Sequence, residues 1–388
     1  MKKVFNFNKD SDKFIDKTEL LKVIDFIDKA DNVKTPILLI DNEKMMQNAR
    51  LIGAGIERSQ VYYAVKANDN IEILRQFSAI GLGFEIASDG ELEKLEQLNI
   101  DGRRIITSNP VKTPFFIQKA HEYGVKCFAF DSEAEIEKLS RYAPNCCVYV
   151  RLIVPNEGSE WPLSKKFGVE QAEALSLLIK AKESGLNPIG LTFHVGSQCT
   201  SVDNWESALN LASDLWAKAV DAGIVMRCLN IGGGYPIVYT KTVIPIKSIE
   251  SRINTLIQRM FPKDIDIYME PGRAMVGDAG VFVTSVIGKA TRAGGGWCYI
   301  DVGVFNGLME SVGGIKYSYI AQTHDTDAKF SSWTLTGPSC DSFDVIDNDV
   351  SLQEPQIGDL ILILSAGAYT LPYASRFNGF KIPEVVFV

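Results

Sequence analysis

The sequence has few of the residues that build metal and disulfide sites. It contains only three histidines, His121, His194 and His324, and its seven cysteines are scattered without a Cys-X-X-Cys pair. No metal site is therefore expected, and an odd, unpatterned set of cysteines suits a reducing compartment better than a disulfide framework. These absences predict a cytoplasmic protein without a resident metal.

Runs of basic residues and long apolar runs near the N-terminus are also missing. Lys and Arg total 40 against 48 Asp and Glu, a net charge of −8, so a nucleic-acid partner is not expected. Residues 1–16 alternate charged and apolar residues, which argues against a secretory signal or a membrane span. The composition, 46% apolar and 23% charged, is ordinary for a folded protein, and 388 residues exceed the usual size of one hydrophobic core. Two domains without membrane association are therefore expected.

Short apolar stretches alternate with amphipathic ones over residues 35–276. The apolar stretches have the length of strands and occupy residues 36–40, 62–65, 83–87, 104–107, 127–130, 147–153, 191–195, 228–231 and 265–269. Because parallel strands need crossover connections, this alternation predicts a parallel sheet, and its length favours an α/β fold of the (β/α)8 barrel type. Nine candidates exceed the eight strands of such a barrel, so the first is interpreted as a lead-in segment.

Two of the intervening helices carry clear signals. Ser88 and Glu91 form a capping-box pair at the start of one helix. Apolar residues at helical spacing cover one face of another from Trp205 to Ala219, and Gly223 follows its end.

The pattern of the sequence changes after residue 276. With few helical patterns, the remainder reads as strands separated by Gly, Asp and Pro turns, at residues 280–288, 297–304, 333–335 and 360–364. This predicts a second, antiparallel β domain. We place the barrel at residues 35–276 and the β domain at residues 277–388, with residues 1–34 as a lead-in that packs on the β domain.

Unusual polar residues stand where the predicted barrel strands end, and in a (β/α)8 barrel function gathers at this C-terminal rim. They are Lys66 in Tyr-Ala-Val-Lys-Ala-Asn, Glu85, Arg151, His194 and Ser197 in His-Val-Gly-Ser, the run Gly232, Gly233 and Gly234, and Glu270 with Gly272 and Arg273 in Glu-Pro-Gly-Arg. Each alone has an ordinary explanation, since a strand-end lysine is usually a solvated charge and a glycine run is often only a tight turn. Their order on successive strand ends indicates one common site.

One cofactor chemistry uses all of these residues. A lysine amine forms a Schiff base with the aldehyde of pyridoxal phosphate. Backbone N–H groups of residues 232–234 can approach its phosphate closely, and Ser197 and Arg273 can add a hydroxyl and a guanidinium. Glu270 is suited to keep the pyridine nitrogen protonated, because a neighbouring carboxylate favours the cation, and His194 can stack on the ring.

These motifs resemble those of the fold-type III, alanine-racemase-like decarboxylases, the family of the ornithine and lysine decarboxylases. The resemblance runs from about residue 35 to residue 380 and implies a (β/α)8 barrel joined to a β domain, working as a homodimer with shared active sites. It implies that Lys66 is the Schiff-base lysine and that Glu270 pairs with the pyridine nitrogen. The other cofactor-binding residues that it implies are Glu85, Arg151 and His194 around the ring, and Ser197, Gly232, Gly233, Gly234, Gly272, Arg273 and Tyr369 at the phosphate.

A second motif resembles the decarboxylases and not the racemases of this fold. Residues 337–344 read Gly-Pro-Ser-Cys-Asp-Ser-Phe-Asp. The resemblance implies that Cys340 comes from the partner subunit and protonates the substrate Cα after CO2 leaves, a task that suits a thiol. Cys340 thus joins Lys66, His194 and Glu270 as the predicted catalytic residues, and Asp341 is predicted to hold the distal ammonium of a cationic substrate.

Two further segments bear on the substrate and the dimer. Eukaryotic ornithine enzymes carry an aspartate close to the position of Ser311, whereas the nearest carboxylate here is Glu310, so both residues are candidate substrate contacts. Residues 164–168 resemble the family's mobile loop, in which Lys166 would pair across the dimer with Asp344.

The predicted reaction is decarboxylation of L-ornithine, and also of L-lysine as a second candidate, to putrescine or cadaverine plus CO2 in polyamine biosynthesis. The two substrates differ by one methylene, which is worth only about 1–3 kcal/mol of discrimination. Arginine stays open as a substrate, while Asp341 disfavours diaminopimelate and the Cys340 motif disfavours racemisation. A regulator without catalysis is disfavoured by the presence of both Lys66 and Cys340.

Overall fold

The computed structural model describes residues 4–6, 17–30, 33–125, 127–161, 166–292 and 294–388. By its internal contacts the chain divides into two compact units. The barrel unit comprises Ala49–Pro236 and Ile244–Gly272, and the β unit comprises Met1–Asn48, Ile237–Val243 and Arg273–Val388. No helix among the described residues is long and apolar enough to cross a bilayer.

The strands of the described residues are short, and most are buried. In chain order they are β1 (Val4–Asn6), β2 (Ile37–Ile40), β3 (Ser59–Ala64), β4 (Gly83–Glu85), β5 (Ile105–Thr107), β6 (Cys127–Phe130), β7 (Cys147–Arg151), β8 (Ser159–Trp161), β9 (Asn187–Thr192), β10 (Ser197–Cys199), β11 (Cys228–Asn230), β12 (Asp266–Met269), β13 (Gly280–Arg292), β14 (Gly295–Ile300), β15 (Tyr319–Thr323), β16 (Ser331–Thr336), β17 (Val345–Leu352), β18 (Leu360–Ile363) and β19 (Glu384–Phe387).

All ten α-helices of the described residues precede β13. In chain order they are α1 (Lys17–Lys29), α2 (Asn42–Leu51), α3 (Ile71–Ala79), α4 (Asp89–Gln97), α5 (Pro114–Tyr123), α6 (Glu133–Tyr142), α7 (Gln171–Glu183), α8 (Asp203–Asp221), α9 (Ile246–Met260) and α10 (Arg273–Val276). Short 3-10 turns follow β3 at Val65–Ala67 and lie in the β unit at Met309–Ser311 and Phe377–Gly379.

Eight parallel strands close the barrel, which confirms the predicted (β/α)8 architecture. Their order is β3-β4-β5-β6-β7-β9-β11-β12, with β12 paired to β3. All four residues of β6 are buried, as expected for a parallel strand that is covered on both faces. Strands β8 and β10, which lie between barrel strands in the sequence, pair antiparallel with each other in a separate two-stranded sheet. This sheet was not predicted.

Local sequence explains where the barrel helices begin and end. Helix α5 starts at Pro114 after Thr113, whose side chain accepts the N–H of Phe116, and it stops at Gly124, which adopts a left-handed φ of 100°. Ser88 accepts the N–H of Glu91 at the start of α4, as predicted, but the Glu91 carboxylate accepts from Ala87 rather than from Ser88. The capping box is therefore only half formed.

Helix α8 confirms the second helix prediction. Its buried residues are Asn204, Trp205, Ala208, Leu209, Ala212, Leu215, Trp216 and Ala219. These positions form one face at helical spacing, and they include the predicted apolar set from Trp205 to Ala219. Gly223, just after the helix, has a positive φ of 75°.

The first predicted strand lies in the β unit, outside the barrel, as its interpretation as a lead-in requires. Strand β2 pairs antiparallel with β13 and parallel with β19, and all four of its residues are buried. Residues 35–48 and 237–243 are therefore grouped with the β unit. The domain limits 35–276 and 277–388 stay a prediction that this grouping refines.

The β unit is built on a sheet whose described part has nine strands. Its path is β1-β15-β18-β13-β14-β16-β17, with β2 and β19 joined through β13. The pairs are antiparallel, as predicted, except for β14 with β16 and β2 with β19. Leu20, Val23 and Ile27 of α1 pack against this sheet with Phe5 of β1, so the N-terminal helix covers part of its apolar face.

Candidate active site

Lys66 and Glu85 face each other at the C-terminal ends of neighbouring barrel strands. Lys66 lies in the 3-10 turn that follows β3, and Glu85 is the last residue of β4, paired in register with Ala64. The Lys66 Nζ is 2.5 Å from the Glu85 Oε2. The Glu85 side chain is 2% exposed while that of Lys66 is 45% exposed, so the amine is accessible although its partner is buried.

Glu270 is held in a buried hydrogen-bond network. It follows β12, and its Oε1 accepts hydrogen bonds from the Ser108 hydroxyl and, at 2.5 Å, from the Asn230 amide. The Ser108 Oγ is also 2.7 Å from the Tyr149 hydroxyl. Because the backbone N–H of Ser108 reaches Glu85 Oε1 at 3.4 Å, one residue links the two carboxylates.

The surroundings of Glu270 favour its protonated form. Burial first, and then the nearby Glu85 carboxylate, raise the pKa of Glu270 to about 7, and the Lys66 amine only partly opposes this shift. A cation in contact with the carboxylate would favour its ionised form. The site is thus suited to a positively charged N–H group.

Arg151 and His194 line the same end of the barrel unit. Arg151 ends β7, lies 5.4 Å above the Phe167 ring and donates to the Ser108 carbonyl at 3.5 Å. The His194 Nδ1 accepts the N–H of Gly196 at 3.0 Å, so the proton of a neutral ring is on Nε2. Burial, with Arg151 and Lys66 next, lowers the pKa of His194 to about 3, which keeps the imidazole uncharged.

The glycine run after β11 is required by close backbone packing. Gly232 has a φ of 65°, and a Cβ on Gly233 would collide with the Glu270 carbonyl oxygen. The N–H of Gly232 donates to the Asn230 side chain at 2.9 Å. This N–H, which was predicted to serve a phosphate, is therefore engaged inside the protein.

The β unit holds a second cluster around Arg273. The guanidinium donates from Nη1 to Glu310 Oε2 at 2.6 Å and from Nη2 to Glu310 Oε1 at 2.7 Å. Nη1 also donates to the Tyr239 hydroxyl at 2.5 Å, and the guanidinium carbon lies 4.7 Å from the centre of the Tyr369 ring. The structure thus brings together Arg273 and Tyr369, two residues for which a phosphate role was predicted.

Glu310 and Ser311 make internal contacts, which differs from the substrate contacts predicted for them. Glu310 is 3% exposed and has both carboxylate oxygens on Arg273. The Ser311 hydroxyl donates to the Leu308 carbonyl at 2.7 Å and closes the 3-10 turn. A substrate role for either residue stays a prediction that these contacts do not support.

Cys340 lies in an exposed loop of the β unit. Its thiol is 3.2 Å from Asn378 Oδ1, which also accepts the Cys340 N–H at 3.1 Å. Asn378 has a left-handed φ of 54°. The neighbouring Asp341 carboxylate accepts the N–H of Phe343 at 2.8 Å, a local turn contact that leaves its predicted substrate role untested.

Asp344 closes the cysteine loop from inside. Its carboxylate oxygens accept the N–H groups of Val304 at 2.8 Å and Ser339 at 3.0 Å, and the residue is 3% exposed. Lys166 lies 4.8 Å above the ring of its neighbour Phe167, while residues 164 and 165 fall outside the described residues. The pairing of Lys166 with Asp344 across a dimer stays a prediction, and the internal contacts of Asp344 weaken it.

Sequence reasoning missed four residues that hold predicted site residues within each unit. Ser108, Tyr149 and Asn230 orient Glu270, and Tyr239 contacts Arg273. Ser108 directly follows β5 and Asn230 ends β11, so the strand-end criterion that selected Lys66 would have found both. Tyr149 lies within a strand and carried no such signal.

The fold and this cluster define a barrel enzyme whose site combines an accessible lysine amine with two buried carboxylates. Such a set fits pyridoxal phosphate: the amine suits its aldehyde, and the raised pKa of Glu270 indicates a place for a protonated ring nitrogen. His194, kept neutral, can lie against a flat ring without adding charge.

The chain belongs to the pyridoxal-dependent decarboxylases. The family model described as "Pyridoxal-dependent decarboxylase, pyridoxal binding domain" matches residues 19–277. The chain is also 38% identical to the lysine/ornithine decarboxylase of Selenomonas ruminantium, in an alignment that covers 92% of this chain and 91% of that relative. The protein is therefore a pyridoxal-phosphate-dependent carboxy-lyase.

Two solved structures resemble the whole chain. The lysine/ornithine decarboxylase of Vibrio vulnificus complexed with putrescine has a TM-score of 0.85 at 29% identity, covering 97% of this chain and 99% of that one. The Paramecium bursaria Chlorella virus arginine decarboxylase bound to agmatine has a TM-score of 0.88 at 27% identity, covering 95% and 100%. The fold is therefore shared by decarboxylases named for different substrates.

Proposed function

We propose that the enzyme decarboxylates L-ornithine, with L-lysine as a second substrate, and supplies putrescine and cadaverine to polyamine biosynthesis. The observation that carries the proposal is a complete lysine–carboxylate barrel site in a chain that also has Asp341 next to an exposed Cys340. The lysine/ornithine decarboxylases of two bacteria among its relatives support the same substrate class. The negative net charge of −8 agrees with a small cationic substrate.

The barrel residues divide the work of holding the cofactor. When bound, pyridoxal phosphate supplies an aldehyde for covalent attachment and a ring that withdraws electrons from the substrate Cα. Lys66 would attach it through Nζ, and Glu270 would keep a proton on the ring nitrogen through its carboxylate. Glu85 orients the Lys66 amine, and the neutral His194 covers the ring. Among the glycines, Gly233 and Gly234 remain our candidates for the phosphate, with Ser197, Gly272, Arg273 and Tyr369.

Cys340 is proposed as the proton donor. Its Sγ carries the proton that Cα receives once CO2 has left, and Asn378 fixes the thiol by accepting its hydrogen bond at 3.2 Å. Asp341 is proposed to bind the distal ammonium of the substrate, because it is the carboxylate next to this thiol and is exposed.

We propose that a second copy of the chain provides this thiol, so that the enzyme works as a homodimer. The cysteine loop carries exposed aromatic residues: Phe343 is 51% exposed and Phe377 is 39% exposed, and both contact the Phe305 ring. Exposed large apolar side chains beside a reactive group are typical of an interface. Covering them with a second subunit would also exclude water from the proton donor.

We also propose a cytoplasmic location. All seven cysteines are free, including the adjacent Cys146 and Cys147. Free thiols of this number suit a reducing compartment. A disulfide found in protein isolated from cells without oxidant would contradict this proposal.

The substrate is tested by supplying the holoenzyme with ornithine, lysine, arginine and diaminopimelate one at a time. We expect putrescine and cadaverine as products, with ornithine giving the higher kcat/KM. Agmatine as the main product, or turnover without CO2 release, would overturn the substrate assignment while leaving the family intact.

The shared site is tested by complementation. Lys66→Ala and Cys340→Ala are each expected to be inactive, whereas mixed subunits should regain roughly a quarter of wild-type activity, because half of the random dimers carry one intact site. A mixture as inactive as its parents would mean that each chain uses its own cysteine.

A further inference from the structure

We propose that Glu310 is a positioning residue that holds Arg273 for the cofactor phosphate and does not bind the substrate. The inference rests on the proposed role of Arg273. It adds Glu310 to the residues that determine cofactor affinity, a role that the sequence motifs did not indicate. It also replaces the substrate role that the sequence suggested for Glu310.

The contact between Glu310 and Arg273 is a two-pronged ion pair inside the β unit. The two N···O distances are 2.6 and 2.7 Å, and the side chains are 4% and 3% exposed. Paired parallel hydrogen bonds of this kind fix the plane and direction of a guanidinium as well as its charge. Glu310 thereby fixes the direction of the guanidinium through Nη1 and Nη2.

Two tyrosines also contact the Arg273 guanidinium. The Tyr239 hydroxyl accepts from Nη1 at 2.5 Å, and the Tyr369 ring lies against the guanidinium at 4.7 Å. Glu310 thus fixes one edge of the guanidinium, Tyr239 fixes Nη1 and Tyr369 covers a face.

The same contacts argue against a substrate role for Glu310. A distal ammonium would have to displace a guanidinium from both carboxylate oxygens, and the displaced guanidinium would then be a buried charge without its partner. Breaking a buried ion pair in this way is strongly unfavourable. The 3-10 turn Met309–Ser311 that carries Glu310 is in addition closed by the Ser311 hydroxyl.

The test compares cofactor affinity with substrate affinity. Cofactor-free Glu310→Gln enzyme is titrated with pyridoxal phosphate and with pyridoxal, which lacks the phosphate, and the absorbance of the bound cofactor is followed. We expect about ten-fold weaker binding of pyridoxal phosphate and a change of less than about two-fold for pyridoxal, because only the phosphate meets Arg273. At saturating cofactor the KM for ornithine should change by less than about two-fold.

Glu310→Asp keeps the charge and should restore part of the pyridoxal phosphate affinity that Glu310→Gln loses. Glu354→Gln is the matched control. Glu354 lies in the same unit and pairs with Lys289 at 2.8 Å, but it is 69% exposed, so its loss should leave both titrations unchanged. If Glu310→Gln does not fold, Tyr239→Phe, which removes one contact to Arg273, is read in the same two titrations. This variant should also lose more affinity for pyridoxal phosphate than for pyridoxal.

Two results would overturn the inference. A KM for ornithine raised about ten-fold with unchanged cofactor affinity would place Glu310 on the substrate, and unchanged values in both titrations would leave it no role at Arg273. The variant Arg273→Gln distinguishes a failure of this inference from a failure of the proposed function. If that variant also binds pyridoxal phosphate normally, the assignment of Arg273 to the phosphate is wrong; if it binds poorly while Glu310→Gln does not, only the positioning role fails.

Discussion

The barrel cluster of Glu85 and Glu270 and the loop that carries Cys340 differ in how far they are buried within one chain. Glu85 and Glu270 are 1% and 7% exposed and are linked through Ser108 to residues of several strands. Cys340 is exposed, and the described contact of its thiol is with Asn378 alone. The first region is held by hydrogen bonds within the barrel unit, whereas the second presents its reactive atom to the surface.

This difference separates two functions that can be measured independently. A preorganised carboxylate network costs little reorganisation when a cationic ring binds, so damage there should show first in cofactor affinity. An exposed thiol depends on what is brought against it, so damage there should show in turnover and leave cofactor binding alone. The following substitutions test that separation.

Lys66→Ala should have the largest effect. Without the Nζ amine there is no covalent attachment, so the visible absorbance of the lysine-bound cofactor should disappear and kcat/KM should fall on the order of 10³-fold or more. Lys94→Ala is the matched control, since Lys94 also pairs with a carboxylate in the barrel unit, that of Asp69. An unchanged spectrum in Lys66→Ala would mean that another lysine holds the cofactor.

Cys340→Ala should leave the cofactor titration unchanged and lower diamine production by about 10²–10³-fold, the usual contribution of a positioned acid. Both quantities are read on the same preparation. Cys147→Ala, a half-buried thiol of the barrel unit, is expected to keep full activity. Weak cofactor binding by Cys340→Ala would break the separation of the two regions.

Glu270→Gln should change the pH dependence of stability in the cofactor-free protein. The pKa of Glu270, raised to about 7 from 4.5, means that the fold favours the protonated acid; this stabilisation is complete below about pH 4.5 and is lost as the pH rises through 7. The lost stability amounts to about 3 kcal/mol. The amide cannot ionise, so thermal unfolding between about pH 5 and pH 8 should show a flatter profile for the variant.

Two outcomes of this experiment are informative. Parallel profiles for wild type and Glu270→Gln would show that the carboxylate is already ionised in the empty site. The exposed Glu354→Gln, whose pKa is lowered by Lys289, provides a control whose profile should follow wild type over this range.

Asn378→Ala should have the smallest effect. It removes one hydrogen bond to Cys340, worth about 1 kcal/mol, and should lower kcat about five-fold without weakening cofactor binding. Because Ala is also disfavoured at a φ of 54°, Asn378→Gly serves as the control that removes the side chain without backbone strain. Wild-type turnover in both variants would show that Asn378 does not orient the thiol.

Much of the fold could be predicted because periodicity and turn residues are local signals. The eight barrel strands, the face of α8 and the cap at Ser88 were all visible in the sequence. The grouping of β2 and of Ile237–Val243 with the β unit was not, because pairing between distant segments leaves no mark on either segment alone. The short strands β1 and β19 escaped for the same reason.

The site was predictable only where a residue type is unusual in its place. Lys66, Glu85 and Glu270 place a charge at the end of a barrel strand or just after it, and that placement identified them. The hydroxyl of Tyr149 and the amide of Asn230 act by reaching across neighbouring strands, which requires the geometry of the closed barrel. Glu310 was assigned to the substrate from the resemblance to the ornithine enzymes, whereas its contact with Arg273, 37 residues earlier, could not be inferred from the sequence.

The pairing of β2 with both β13 and β19 has a consequence for how the chain is made. The ribosome synthesises the chain in order, so the barrel strands, which all lie within residues 59–269, can pair while the remainder is still being synthesised. Strand β2, translated before all of them, must wait for residues 280–283 and then for residues 384–387. During that interval its four apolar side chains lack the two strands that flank them in the folded chain.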